Sequence, residues 1–283
     1  MRGRFAVLGA TGAQGGAVVK ALLDGGAAVR GITRRIDSPS ARRLTDAGVE
    51  VVAADLDDEA AVTRAFTGVD GAYALTTPFE DGPEAEVAQG NTIIAAALAA
   101  EVPHLVFSSV ADADQHTGIP HFDSKAAVEE SLAGSGLSHT IVGPAYFYDN
   151  MLGGLDDIRA GVLTLPLPAD VTLQHLSRRD LGRFVAAVMA DPDPVRGARI
   201  DIASDAPTPR QMAEALTVAV GRPVRLATSD PDDIGSEDMR AMFGFLARGG
   251  YTVDIPELHG RYPQIGWQSF TDWIETDLRP LLR

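Results

Sequence analysis

Residues 5–16, Phe-Ala-Val-Leu-Gly-Ala-Thr-Gly-Ala-Gln-Gly-Gly, constrain this chain more than any other stretch. A short apolar run ends in a glycine-rich turn, and a helical pattern follows at once over 14–24. That order is strand, phosphate loop, helix. Gly9 permits the tight turn off the strand, Gly12 lets the backbone approach a pyrophosphate, and Gly15 lets the helix pack close to the sheet. The helix N-terminus then aims unpaired N–H groups and the positive end of its dipole at the phosphates. The spacing is Gly-x-x-Gly-x-x-Gly rather than the commoner Gly-x-Gly-x-x-Gly, and its specificity comes from this strand–turn–helix context.

The rest of the first half repeats the same unit. Short apolar runs at 28–33, 49–53, 71–76, 104–108 and 138–142 read as buried strands. Helical patterns at 38–47, 58–66, 84–100 and 124–133 alternate with them. Repeated βα units imply a doubly wound parallel sheet with ligand at the carboxyl ends of its strands. After Pro144 the rhythm breaks into Pro- and Gly-punctuated segments, then a helix at 179–190, a strand at 199–203 and a helix at 209–220. The expected organisation is an α/β Rossmann domain over 1–150 plus 176–203, with a smaller, partly interleaved C-terminal α/β lobe over 151–175 plus 204–283.

Composition narrows the function. With 283 residues, 45% of them hydrophobic, the chain can bury a full core. A net charge of −15 disfavours nucleic acid and anionic membranes as partners. Zero cysteines exclude a disulfide framework and thiolate chemistry. No secretory leader and no apolar run of membrane-spanning length is visible, so a cytoplasmic location is expected. No His/Asp/Glu cluster shows metal-ligand spacing, and no Gly-x-Ser-x-Gly elbow is present, so no metal is expected.

The end of the second strand bears on which dinucleotide is bound. An acid there takes the ribose hydroxyls of NAD, whereas an arginine accommodates the 2′-phosphate of NADP. Here the strand runs into Thr33-Arg34-Arg35 with no acid at its tip. Thr33 can hydrogen-bond a phosphate and Arg34 can fork onto it; the bland alternative is two solvated arginines. Asp55, after the third strand, is placed to meet the adenine side, or to cap the helix starting near Asp57, or both.

Several motifs in this order resemble the NmrA-like family, an atypical branch of the short-chain dehydrogenase/reductase superfamily. They are Gly9-Ala-Thr-Gly-Ala-Gln-Gly-Gly16, Thr33-Arg34-Arg35, Asp55-Leu-Asp-Asp58 and His121-Phe-Asp-Ser-Lys125. Gly143-Pro-Ala-Tyr-Phe-Tyr-Asp-Asn150 is similar to a family segment that begins Arg-Pro and ends Glu-Asn, with Gly143 in place of the arginine. The likeness extends to Phe270-Thr-Asp-Trp273 and looks closest to members that bind NADP(H) and act as redox sensors. It implies a Rossmann domain, NADP(H) as cofactor, and a small lobe forming a substrate cleft beside the nicotinamide. Members divide between reductases of small carbonyl, quinone or imine compounds and regulators that bind cofactor without turnover. A small-molecule substrate is therefore expected, and the family leaves room for a protein partner and for oligomers.

Cofactor contacts are accordingly expected from Gly9, Thr11, Gly12, Gln14, Gly15, Thr33, Arg34, Arg35, Asp55 and Leu56. Thr76, Thr77 and Pro78 should run past the nicotinamide ribose, with Ser108 and Lys125 nearby. Pro144, Tyr146 and Phe147 lead into the cleft, where the aromatics wall a flat ring or form the second lobe's core. Short-chain reductases place Tyr-x-x-x-Lys on one helix face, the lysine holding the ribose and lowering the tyrosine pKa. Lys125 is kept, but the tyrosine position is His121. His121 is either a proton donor or only the start of a helix. Ser109, with Ser108 at the end of the fifth strand, either polarises a substrate carbonyl or caps the strand. The working function is NADPH-dependent reduction of a small quinone, enone, imine or activated carbonyl compound. The alternative is a non-catalytic NADPH/NADP sensor acting on a protein partner.

Overall fold

The computed structural model describes residues 2–282. In chain order the elements are β1 (Arg4–Leu8), α1 (Ala13–Asp24), β2 (Ala28–Thr33), α2 (Pro39–Asp46), β3 (Glu50–Ala53) and α3 (Glu59–Phe66). There follow β4 (Gly71–Leu75), α4 (Pro83–Ala99), β5 (Leu105–Ser108), α5 (Pro120–Gly134), β6 (His139–Pro144), β7 (Tyr146–Phe147) and α6 (Leu155–Arg159). The remainder comprises β8 (Val162–Leu165), β9 (His175–Leu176), α7 (Arg178–Ala190), β10 (Arg199–Ile202), α8 (Pro209–Val220) and β11 (Arg225–Thr228). Helices α9 (Glu237–Ala247), α10 (Ile255–Arg261) and α11 (Phe270–Trp273) close the chain.

Two compact units result. The first takes the chain up to His116, then Pro120–Gly143 and Leu181–Asp201; the second takes Thr117–Ile119, Pro144–Asp180 and the chain from Ile202 onward. The divisions fall at Gly143, Leu181 and Asp201, against expected bounds at 150, 176 and 203.

In the first unit, seven strands form one sheet in the order β10-β6-β5-β4-β1-β2-β3. Every pairing from β3 through to β6 is parallel. Covered on both faces, the strands need apolar residues at successive positions rather than alternate ones. Phe5–Leu8 and all of β5 and β6 are accordingly buried. Ala6, Leu8, Ile32, Phe66, Ile93 and Phe107 belong to one continuous core. Strands β2 and β3 extend to one side of β1, and β4 to β6 extend to the other. Strand order therefore reverses between β1 and β4, the place where such folds take ligands.

One helix differs from the sequence reading in a way that matters. α5 begins at Pro120, four residues before the expected 124, because proline's fixed φ and missing N–H suit a first helical position. His121 and Lys125 are thereby set one turn apart on a single helix.

The second unit has its own core, in which Tyr148, Met212, Leu216, Phe270 and Trp273 are buried together. Two small parallel pairs, β8 with β11 and β7 with β9, frame it. The Tyr148 ring stacks on His175 at 5.1 Å between centroids, and its hydroxyl donates to the Gln268 carbonyl at 3.3 Å. Beyond residue 220, where the sequence pattern marks no elements, the chain forms β11 and three helices.

Candidate functional site

The turn after β1 is built as a cradle. Gly9 sits at φ +62°, a left-handed conformation that glycine adopts without strain. Its carbonyl accepts the Gly12 N–H at 2.8 Å, closing the turn. A Cβ on Gly15 would collide with that carbonyl and lie 2.9 Å from the Leu8 oxygen. Glycine at 15 is thus what lets α1 start against the end of β1. Gly12 caps α1 with no side chain, so the first-turn N–H groups open onto a groove of about 290 Å³.

That groove follows the carboxyl ends of β1 to β4. Gly9, Thr11, Gly12, Gln14 and Gly15 line it, with Thr33 and Arg34 at the end of β2, Asp55 and Leu56 just after β3, and Thr76 and Thr77 just after β4. The structure brings these expected residues together. A helix N-terminus free of a capping side chain, with hydroxyls and a guanidinium beyond it, fits a pyrophosphate and a further phosphate. Of the other expected contacts, Arg35, Pro78, Ser108, Lys125, Pro144, Tyr146 and Phe147 are not among the lining residues.

Details depart from expectation. Asp55 does not cap the following helix: Asp58 does, accepting the Ala61 N–H at 2.9 Å, because α3 starts at Glu59. Asp55 instead accepts the Asp57 N–H at 3.2 Å, which holds its turn. The Arg34 guanidinium is not simply solvated. It donates through Nη1 and Nη2 to the two carboxylate oxygens of Glu80, at 2.6 and 2.9 Å. Those hydrogen bonds hold the Glu80 carboxyl below, and the Arg34 guanidinium above, their ordinary values. Glu80 also lines the groove. Nothing local in the sequence signals this partner, which comes from the turn after β4.

Lys125 lies beside the groove through Thr76, whose carbonyl accepts from Nζ at 3.2 Å. Its counter-ion is Glu86 on the first turn and a half of α4, at 2.8 Å. Glu86 is fully buried and satisfied on both oxygens: Thr76 Oγ1 donates to Oε1 at 2.8 Å and Ser124 Oγ to Oε2 at 2.5 Å. Sequence reasoning missed Glu86, since an acid near a helix N-terminus ordinarily reads as a dipole contact.

The two serines at the end of β5 point elsewhere than a substrate oxygen. Ser108 donates to Gln14 Oε1 at 2.9 Å, which also accepts from the buried Tyr73 hydroxyl at 3.2 Å. Ser109 donates to Glu129, whose other oxygen accepts from Arg199 Nε at 2.8 Å. Arg199 also pairs with Asp201, a carboxyl that burial pushes up to about 6. A Cβ at Gly143 would fall on the Asp201 carboxylate. The position where the family segment carries arginine is thus taken up by an acid, and a guanidinium comes instead from the adjacent strand β10. His121 is buried, its ring 4.8 Å from Phe122 edge-on and 5.7 Å from Phe79.

β6 ends at Pro144, and in the second unit Tyr146 and Phe147 pair with β9. The Tyr146 ring meets His175 at 5.6 Å and Phe243 at 6.1 Å, within that unit. Among the described residues no group of His, Cys, Asp and Glu is placed to hold a metal ion, and no helix is long and apolar enough to cross a membrane.

A doubly wound sheet with a glycine cradle at its switch point defines a Rossmann-type α/β protein. The chain belongs to the NmrA-like family, whose model matches residues 1–254. An NmrA-like family domain-containing oxidoreductase of Aspergillus campestris is 31% identical over 88% of this chain and 85% of its own. Among solved structures, an NADPH-dependent quinone oxidoreductase of Escherichia coli, complexed with NADPH, has a TM-score of 0.81 at 25% identity, covering 96% of this chain and 98% of that one. The negative transcriptional regulator NmrA, in complex with NADP, has a TM-score of 0.83 at 20% identity, over 99% and 96%.

Proposed function

We propose that this protein binds NADP(H) and reduces a small quinone, enone, imine or activated carbonyl compound. The observation that carries the reading is the groove itself. A bare helix N-terminus sits at one end, Thr33 and Arg34 stand where an NAD-selecting acid is otherwise found, and Lys125 lies beside Thr76. The similarity to an oxidoreductase and to an NADPH-dependent quinone reductase supports it.

In this reading the α1 N–H groups hold the pyrophosphate and Arg34 the 2′-phosphate. Lys125 has one ammonium hydrogen left after Glu86 and Thr76, enough to hold a ribose hydroxyl. The bound dinucleotide supplies a hydride, and the acceptor takes a proton from His121 or from water. Ser109 does not polarise the acceptor here, because its proton is committed to Glu129. With no tyrosine at 121, acceptors that need no strong acid fit best.

The committed serines and the flanked His121 also favour a second reading, cofactor binding without turnover that signals to a protein partner. One experiment separates the two. NADPH oxidation is followed across quinones, enones, imines and ketones, alongside calorimetric titration of NADPH and NADH. Consumption with quinones or iminium acceptors and not with simple ketones is expected. Tight NADPH binding with no consumption by any acceptor overturns the reductase reading and leaves the sensor.

A further inference from the structure

We propose that Glu80 is an internal stand-in for the 2′-phosphate: it occupies Arg34 until a 2′-phosphorylated dinucleotide takes its place, so that the turn at 77–82 is released by NADP(H) and not by NAD(H). The proposal rests on the reading that Arg34 meets the 2′-phosphate.

Both terminal nitrogens of Arg34 donate to Glu80, one to each oxygen. This is a planar two-point geometry with which a guanidinium also holds a phosphate, so a phosphate can take the Nη1–Nη2 edge only when Glu80 leaves it. Asp55 and Asp81 also press on Arg34 electrostatically. A phosphate entering among three carboxylates is repelled unless the one on the guanidinium leaves.

Exchange is physically accessible. The two side chains are 60% and 52% exposed, so neither is locked in by desolvation, and an exposed pair of this kind is weak. A phosphate brings a charge near −2 and three acceptor oxygens against the carboxylate's single charge. A dinucleotide with a free 2′-hydroxyl has nothing with which to displace Glu80, and the ion pair stays closed.

The turn that carries Glu80 is built to register the difference. Gly82 N–H donates to the Pro78 carbonyl at 2.8 Å, making 78–82 one hydrogen-bonded unit that leads into α4. Next to Glu80 is Phe79, 68% exposed, whose ring lies 5.7 Å from His121. With Glu80 off Arg34, the segment that carries Phe79 beside His121 loses one of its holds. Glu80 therefore links the identity of the adenosine ribose to the aromatic ring beside His121.

The test uses the intact protein, Glu80→Gln and Arg34→Ala, with NADP+ and NAD+ as probes. Calorimetry gives Kd, and limited chymotrypsin digestion gives the rate of cleavage after Phe79. Glu80→Gln should tighten NADP+ by about two- to fivefold and change NAD+ by less than about twofold. Saturating NADP+ should speed cleavage at Phe79 in the unmutated protein, NAD+ should not, and Glu80→Gln should cleave fast without either. Weaker NADP+ or NAD+ binding in Glu80→Gln makes Glu80 a direct cofactor contact and overturns the proposal, as do unchanged affinities or equal cleavage with both cofactors. Arg34→Ala keeps the two readings apart: undiminished NADP+ affinity there sinks the 2′-phosphate reading itself. Diminished affinity with an inert Glu80→Gln sinks only the stand-in.

Discussion

Replacing Glu86 with alanine should be among the most damaging single changes in the first unit. The Glu86 side chain is wholly buried and the Lys125 side chain is 11% exposed, so the ammonium has almost no water to replace a lost counter-ion. Thr76 and Ser124 lose the acceptors of their hydroxyl hydrogens at the same time. Breaking one side of a buried pair costs about 3–5 kcal/mol, most of it the stranded charge. At ~2–4 °C per kcal/mol for a chain of roughly this size, the midpoint should fall by about 6–20 °C. Differential scanning calorimetry measures that. Glu86→Leu combined with Lys125→Met removes both charges and should recover most of the loss, because a matched pair of apolar groups is close to neutral. A fall below ~1 kcal/mol in Glu86→Ala, or a double variant no better than the single, would refute the claim that an unpaired Lys125 is what the fold cannot tolerate.

Stability should drop in mild acid. His175 is fully buried, and desolvation holds its imidazole down to about 4. From pH 6.5 to 4 the unfolded chain binds the proton and the fold does not, so stability present above 6.5 is lost as pH falls, by roughly 3 kcal/mol. His104, also held down to about 4 by desolvation, acts in the same direction. Asp201, pushed up to about 6 from an ordinary 3.8, acts in the opposite one, since the fold takes up its proton first. Thermal scans from pH 7 to 4.5 should show a steeper decline for the native chain than for His175→Phe; parallel declines would count against it. Gly15→Val should lower NADPH affinity and destabilise by about 1–3 kcal/mol through overpacking against the Gly9 carbonyl, checked by calorimetry and urea unfolding. His121→Phe should cut kcat about a hundredfold or more if His121 donates the proton; an unchanged rate with the best acceptor assigns protonation to water.

The alternation of strands and helices was legible because a strand covered on both faces must be apolar at consecutive positions, as in Phe5–Leu8 and Leu105–Phe107. The glycine cradle was legible because its requirements are local, within three residues of one another. The first turn of α5 was not, since Pro120-His-Phe-Asp carries no apolar periodicity to advertise a helix before 124. The stretch after residue 220 hides its elements for a similar reason: most are short, and more of its residues are exposed than half-buried.

What lay beyond local reading was the choice of charged partner. Thr33-Arg34 and Lys125 could be placed from motif and spacing, but Glu80 lies 46 residues from Arg34, and Glu86 lies 39 residues from Lys125. In a chain of net charge −15, an exposed or buried cation near the sheet's carboxyl edge finds an acid wherever the fold brings one past. The two pairs then differ by environment. Glu86 is sealed from water and completes the lysine's position, so it stays when a ligand arrives. Glu80 stands in water on a turn and holds its arginine only weakly, so a stronger anion can displace it. The same pairing of one cation with one carboxylate is therefore a fixed support at one end of the groove and an exchangeable contact at the other.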